Sequence, residues 1–289
     1  MIGVTDNGIL RYERKAGGAP FNVACAAKKF GAKTLFFGSV GEDLIGEYLS
    51  RYAENMLGDG ARIKRIADKN TTLAFVDIDA FGERSFCFYR KSTADMCLEK
   101  LDDQTIKSAT ILHVGSLMLS EERGLLYAEE LMERARALSV PVSFDVNFRS
   151  DIFKDTDGAV SVYKKIIALA DIVKFSEDEV EIFGNDYLET ELKNKLVIIT
   201  LGKEGSEWRV CGRSAKVESI PVKPVDTTGA GDAFYAGVLS VLDRKGLETF
   251  SPEDLNGALR FGNVCGALNT LSRGAIDGLP TLDEINKYL

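Results

Sequence analysis

The sequence predicts an α/β fold: a mostly parallel sheet covered by helices on both faces, with a small β-sheet lobe beside it. Two observations carry this. From Thr105 onward short apolar runs alternate with segments of helical periodicity, whereas residues 62–94 read as strands with no long helix. The 289 residues are enough for one such α/β domain.

The elements follow in order. Asn22–Phe30 is a helix; Pro20 and Asn22 suit its start, and Ala24, Ala26 and Ala27 allow it to pack tightly. Thr34–Val40 is an apolar strand and Leu44–Met56 a second helix. Leu73–Asp79 and Ser85–Tyr89 are strands joined by a turn at Phe81-Gly-Glu83, and residues 4–15 join them in the lobe. Strand and helix then alternate: Ile111–Val114, Glu121–Leu138, Val142–Asp145, Ala159–Ala170, Ile172–Phe175, Val197–Leu201, Ser219–Val225, Ala230–Arg244, Pro252–Leu271 and Leu282–Tyr288. A lobe of about 1–16 and 62–94 beside this core would act as a lid that excludes water from a site.

Bulk properties remove several functions. Net charge is −8 with no basic run, which argues against a nucleic-acid partner. No apolar stretch approaches the length of a membrane span, and the start lacks a signal-peptide pattern. The five cysteines form no C-x-x-C pair, which fits a reducing, cytoplasmic setting. The single histidine, His113, lies in an apolar run and reads as a strand residue. One histidine makes a multi-histidine metal site impossible, and any Ser-His-Asp or Cys-His machinery would depend on it.

The strongest local signal is Val225-Asp-Thr-Thr-Gly-Ala-Gly-Asp232, a Gly-rich turn between a strand and a helix. Gly246 suits the end of that helix. Gly229 and Gly231 lack Cβ atoms where an anion would approach, and the free N–H groups and helix dipole would hold a phosphate. Asp232 sits in the first helical turn. It makes sense as a base for an attacking hydroxyl; equally, Asp226 and Asp232 could be ordinary helix-N-terminal acids. The P-loop, dinucleotide and H-R-D patterns are all absent.

Asp226-Thr-Thr-Gly-Ala-Gly-Asp232 resembles the C-terminal signature of the ribokinase/PfkB family of carbohydrate kinases. Gly17-Gly-Ala-Pro-Phe-Asn-Val-Ala24, Phe30-Gly31, Gly38-Ser-Val-Gly-Glu-Asp43 and Gly46 resemble its sugar-side motif, so the resemblance spans almost the whole chain. Phe86-Cys-Phe-Tyr-Arg90 with Ala94-Asp95, and His113-Val-Gly-Ser116, resemble the fructokinase branch. The implied fold is a ribokinase-like three-layer α/β/α domain with a β lid. The implied reaction is transfer of the γ-phosphate of MgATP to a hydroxyl of a small sugar, fructose first. Another sugar, a sugar acid, a nucleoside, and a non-catalytic binder are the alternatives.

The resemblance also implies site residues. Asp232 would be the base, with the Gly229, Ala230 and Gly231 N–H groups as the anion hole. Gly17, Gly18, Asn22, Arg90, Asn147 and Arg149 would lie near sugar or phosphate, although an arginine is often only a surface ion pair. Thr200, Gly202, Gly205, Asn263 and Gly266 would line the nucleotide, although the helix around Asn263 is core on any reading. Ser176-Glu-Asp-Glu179 stands where relatives carry Asn-x-x-Glu, so Glu179 would organise Mg²⁺ through water. Asp226 and Thr228 would hold a monovalent cation such as K⁺. The lid would form a homodimer through residues 73–90.

One departure stands out. Relatives begin with an apolar core strand and an Asp that binds sugar hydroxyls, whereas only sixteen residues precede Gly17 here and contain neither. Asp6, in Thr5-Asp-Asn-Gly8, reads as a turn residue. Losing a buried strand would be severe against a typical stability of about 5–15 kcal/mol. The native chain is therefore expected to start upstream of Met1.

Overall fold

The computed structural model describes residues 1–6, 9–78, 84–149, 152–153, 155–245 and 250–289. The Phe81-Gly-Glu83 turn, Gly246, and Asn7-Gly8 lie outside the described residues. Contacts divide the chain into two units, Met1–Gly18 with Lys33–Glu99 and Ala19–Ala32 with Lys100–Leu289.

The first unit contains two sheets. Strands β1 (Ile2–Asp6), β2 (Ile9–Glu13), β5 (Leu73–Ile78) and β6 (Arg84–Tyr89) form a four-stranded sheet in the order β2-β1-β5-β6. Thr5 and Asp6 therefore belong to a strand, antiparallel to β2. Strand β4 (Ala61–Ile66) is not part of that sheet. It pairs in parallel with β3 (Phe36–Gly41) in register Phe36↔Ala61, and helix α2 (Leu44–Leu57) makes the crossover that a parallel pair requires. Asp43 caps α2, accepting from Gly46 N–H at 2.7 Å, and also accepts from Thr71 N–H and Oγ1.

The second unit is built on a six-stranded sheet. Helix α1 spans Ala19–Lys29, and α3 (Asp103–Lys107) precedes strand β7 (Leu112–Gly115). Then come α4 (Glu122–Ala137), β8 (Val142–Asp145), α5 (Thr156–Leu169), β9 (Ile172–Ser176), α6 (Glu177–Phe183), α7 (Asn185–Thr190) and β10 (Leu196–Thr200). A hairpin of β11 (Ser206–Val210) and β12 (Arg213–Val217) follows, then helices α8 (Ala230–Lys245), α9 (Pro252–Asn269) and α10 (Leu282–Asn286). The sheet order is β12-β11-β10-β9-β8-β7, with β7 to β10 parallel and β11 and β12 antiparallel. Helices cover both faces, as the continuous burial of β8 demands. Phe144, Val173 and Ile198 are fully buried, and each contributes about 1.5–3 kcal/mol.

The expected strand Ser219–Val225 does not form; the hairpin takes the edge position instead. Pro221 and Pro224 have no N–H for a ladder. Cys211 and Gly212 both have positive φ, 51° and 72°, which matches the twist of a two-residue hairpin turn.

Candidate active site

The turn before α8 is tied down by Asp226. Its Oδ1 accepts from Thr228 N–H (2.9 Å) and Thr228 Oγ1 (2.7 Å), and its Oδ2 accepts from Gly274 N–H (2.8 Å). Gly229 has φ +77°, and a Cβ there would lie 2.4 Å from the Ala275 Cβ, so only glycine makes this turn. The turn delivers three amides to the head of α8. Ala230 N–H reaches Thr227 O at 3.2 Å, while Gly229 and Gly231 N–H have no partner among the described residues. First-turn amides are the groups a helix cannot satisfy itself.

Asp232 stands in that first turn. Burial, then the Asp145 carboxylate, push its carboxyl up to about 6; Asn22, Lys174 and Arg149 work the other way. Asn22 Nδ2 donates to Asp232 Oδ2 at 2.7 Å, whereas Asn22 Oδ1 is buried without a hydrogen-bond partner. Helix α1 comes close enough for this bond because it packs on α8 and because Pro20 sits against Gly115, where a Cβ would lie 2.4 Å from Pro20 Cγ.

Beneath the turn, Asp145 ends β8 and faces Lys174 of β9, with Lys174 Nζ 2.8 Å from Asp145 Oδ1. Both residues are buried, at 2% and 6% exposure. Ser143 Oγ donates to Tyr235 Oη at 2.7 Å and lies 3.1 Å from His113 Nδ1. Burial holds His113 down to about 4, so its ring is neutral, as a strand residue should be. Asn147 adopts φ +34° and its carbonyl accepts from Ser116 Oγ; Arg149 follows on the same loop, close enough to act electrostatically on Asp232. Glu179 braces that loop. Its Oε1 accepts from Phe148 N–H (2.5 Å) and its Oε2 from Ser176 N–H (2.7 Å), completing a capping box at α6.

The remaining expected residues are placed as follows. Thr200 ends β10, Gly202 and Gly205 bound the turn into β11, and Asn263 Nδ2 donates to Val217 O (2.9 Å) and Glu218 O (3.3 Å). Gly266 lies where α9 crosses α8, its would-be Cβ 3.0 Å from Ala230 O. In the first unit, Gly17 and Gly18 are exposed, and buried Arg90 donates from Nε to Asp95 Oδ2 at 2.7 Å. Thus the second unit brings Asn22, Asp232 and the 229–231 amides together, while Gly17, Gly18 and Arg90 belong to the first. Sequence reasoning missed Lys174, although a lysine inside the otherwise apolar run Ile172–Phe175 was the signal. Among the described residues no group of three His, Cys, Asp or Glu side chains is placed to hold a metal unaided, and no helix is long and apolar enough to cross a membrane.

Comparisons with known proteins identify the family and the fold. Residues 5–282 match the family model described as pfkB family carbohydrate kinase. The chain is 38% identical to probable fructokinase-6, chloroplastic, of Arabidopsis thaliana, over 96% of this chain and 75% of that protein. It is similar to a fructokinase of Xylella fastidiosa solved with bound ATP, at TM-score 0.89 and 29% identity, covering 100% of this chain and 94% of that one. It is also similar to a fructokinase of Vibrio cholerae O395 solved with fructose, ADP and calcium, at TM-score 0.85 and 28% identity over 100% and 95%. A carboxylate-bearing helix head with free amides, on a three-layer α/β/α scaffold matched along nearly its full length, has one reading: the chain belongs to the pfkB family of carbohydrate kinases.

Proposed function

We propose that this kinase transfers the γ-phosphoryl group of ATP to a hydroxyl of fructose, with Asp232 as the general base. The observation that carries this is a carboxylate set beside two unpartnered amides. A plain anion site would avoid that charge, whereas phosphoryl transfer uses it to take the proton of the attacking hydroxyl. In this reading the Gly229 and Gly231 N–H groups face the oxygens on which charge develops and helix α8 adds its positive end, whereas the expected third donor, Ala230 N–H, already reaches Thr227 O. The unpartnered Oδ1 of Asn22, next to the base, is suited to accept a sugar hydroxyl.

The other assignments belong to the same reading. Asn147 and Arg149 serve the sugar or phosphate from their loop, and Gly17, Gly18 and Arg90 are assigned to the sugar by resemblance. Thr200, Gly202 and Gly205 serve the nucleotide. Asn263 and Gly266 act there by shaping the α9 surface, since Asn263 already donates to Val217 O and Glu218 O and Gly266 packs against α8. Mg²⁺ neutralises phosphate charge when bound. Glu179 would meet it through water, because both its oxygens already accept backbone N–H groups. A monovalent cation, K⁺ in this reading, would sit at the Asp226–Thr228 turn, where the buried Oδ1 of Asn269 supplies another unpartnered oxygen. The reading includes a cytoplasmic location and a homodimer through the lid sheet, on which Tyr89 is 62% exposed.

The test is ADP release from MgATP over a sugar panel, with Asp232→Ala alongside. Turnover on fructose that vanishes in the variant is expected. Equal turnover by the variant would overturn the assignment of the base.

A further inference from the structure

Lys174 is a cation in a place where a cation needs a reason. It lies mid-strand in β9, between apolar neighbours, at 6% exposure. An unpaired buried ammonium is strongly unfavourable. Its partner is Asp145, with Nζ 2.8 Å from Oδ1. The same Nζ lies 3.7 Å from the point a Cβ on Gly231 would occupy, directly under the turn that heads α8. A pure core would have met the same packing need with two apolar residues.

We infer that Lys174 is a positioning residue for the reaction: its buried ammonium offsets Asp145 beneath the Gly231 turn and so keeps the Asp232 carboxylate charged and ready to accept a proton. The inference rests on Asp232 being the base. The groups facing Asp232 are Asn22 from α1, Asp145 from β8, Arg149 from the following loop and Lys174 from β9. Asp145 drives Asp232 toward its protonated form; Lys174 and Arg149 oppose this. Glu179 and the neutral His113 also face the Lys174–Asp145 pair. Burial pulls the Lys174 ammonium down, but the Asp145, Glu179 and Asp232 carboxylates outweigh it, so it stays charged throughout the working range. Lys174 need not touch substrate. Removing it leaves two carboxylates, buried Asp145 and half-buried Asp232, close together with less compensation, and one of them takes up a proton.

The test is kcat/KM against pH for the full chain with fructose and MgATP, comparing wild type with Lys174→Met, Lys174→Arg, Asp145→Asn, the Lys174→Met/Asp145→Asn double variant and Asp232→Asn. In Lys174→Met the acid limb should move up by about one pH unit, giving about a fivefold loss at pH 6 that largely recovers by pH 9. Asp145→Asn should move the limb down, the double variant should bring it back toward the wild-type position, and Lys174→Arg should leave it in place. A Lys174→Met limb that stays put, with a uniform loss at every pH, would overturn the inference and leave the lysine a structural ion pair. If Lys174→Met gives no cooperative melt, Asp145→Asn reads the same coupling, and a limb that fails to move down overturns it. Asp232→Asn separates the two readings. Wild-type turnover there removes the base and this inference together; an inactive Asp232→Asn beside an unmoved Lys174→Met limb removes this inference alone.

Discussion

Asn22 Nδ2 donates to Asp232 Oδ2 at 2.7 Å across a separation of 210 residues, joining the two sequence signatures in one hydrogen bond. The bond favours the charged carboxylate, which burial and Asp145 disfavour. Replacing Asn22 by Leu removes it. With Asp232 as the base, the acid limb of kcat/KM is expected near pH 6 and should move upward by about one unit, so that activity falls about fivefold at pH 6 and about twofold at pH 7. Asp232→Asn should lose about 10²–10⁴ in kcat at every pH, since no base remains. Steady-state rates from pH 5 to 9 check both; an Asn22→Leu limb at or below the wild-type position would contradict the role given to the bond.

The same raised carboxyl affects stability, and its sign can be worked out. The folded value of about 6 lies above the ordinary 3.8, so between these the native state binds more protons than the unfolded chain. Stability therefore falls as pH rises from about 4 to about 6, and the full penalty is present above that. Asp232→Asn, which cannot ionise, should be more stable than wild type at pH 7 by on the order of 2 kcal/mol. The difference should fade below pH 4. Paired thermal melts at pH 4 and pH 7 measure it, and equal melting temperatures at pH 7 would count against a half-buried, ionised Asp232.

Glycine positions in the turn separate folding from chemistry. Gly229→Ala meets both a positive φ and a Cβ contact of 2.4 Å, so it should destabilise by about 1–3 kcal/mol and lose activity. At Gly231 a Cβ would meet nothing nearer than Lys174 Nζ at 3.7 Å. Gly231→Ala should therefore melt within about 0.5 kcal/mol of wild type yet lose turnover, because the methyl group occupies the anion's approach. Melting curves and rates on the same preparations test the pair; a fully active Gly231→Ala would argue against a phosphate above this turn.

The parallel strands were legible because they are short apolar runs with helices between them, and Val142–Asp145 was read to the residue. The edge was not. Ser219–Val225 looks like a strand by apolar content, but its two prolines withhold donors, while Ser206–Val217 hides a hairpin behind mixed polar residues on a half-exposed edge. Ala61–Ile66 lies in a strand-rich stretch, yet its partner, Phe36–Gly41, is far away in sequence, and no local pattern encodes that choice. In the site, Asp232 and its amides were legible because a Gly-rich turn into a helix is local chemistry. The Lys174–Asp145 pair is non-local, although a lone lysine in an apolar strand was a visible anomaly. Asn263 and Gly266 show the opposite case: the resemblance assigns them to the nucleotide, whereas by contact Asn263 ties α9 to the end of β12 and Gly266 packs on α8.

Glu179 offers a test of whether one carboxylate carries two roles. Its oxygens accept from Phe148 and Ser176 N–H, so it fastens the Asn147–Arg149 loop to the head of α6. Burial pushes its carboxyl up while Lys174 and the two backbone donors hold it down, and the net direction is upward. In Glu179→Gln the side-chain amide keeps one acceptor and turns an NH₂ toward a backbone donor, leaving a buried N–H unsatisfied. That should destabilise by about 1–3 kcal/mol. A loosened loop should also raise the KM for fructose, because Asn147 and Arg149 lose their fixed positions. If Glu179 in addition holds Mg²⁺ through water, the Mg²⁺ concentration for half-maximal rate should rise several-fold. Melting, a fructose titration and a Mg²⁺ titration on this one variant separate the effects. A lower melting temperature with unchanged Mg²⁺ dependence would reduce Glu179 to the brace its hydrogen bonds describe, and the metal would then rest on phosphate oxygens and water alone.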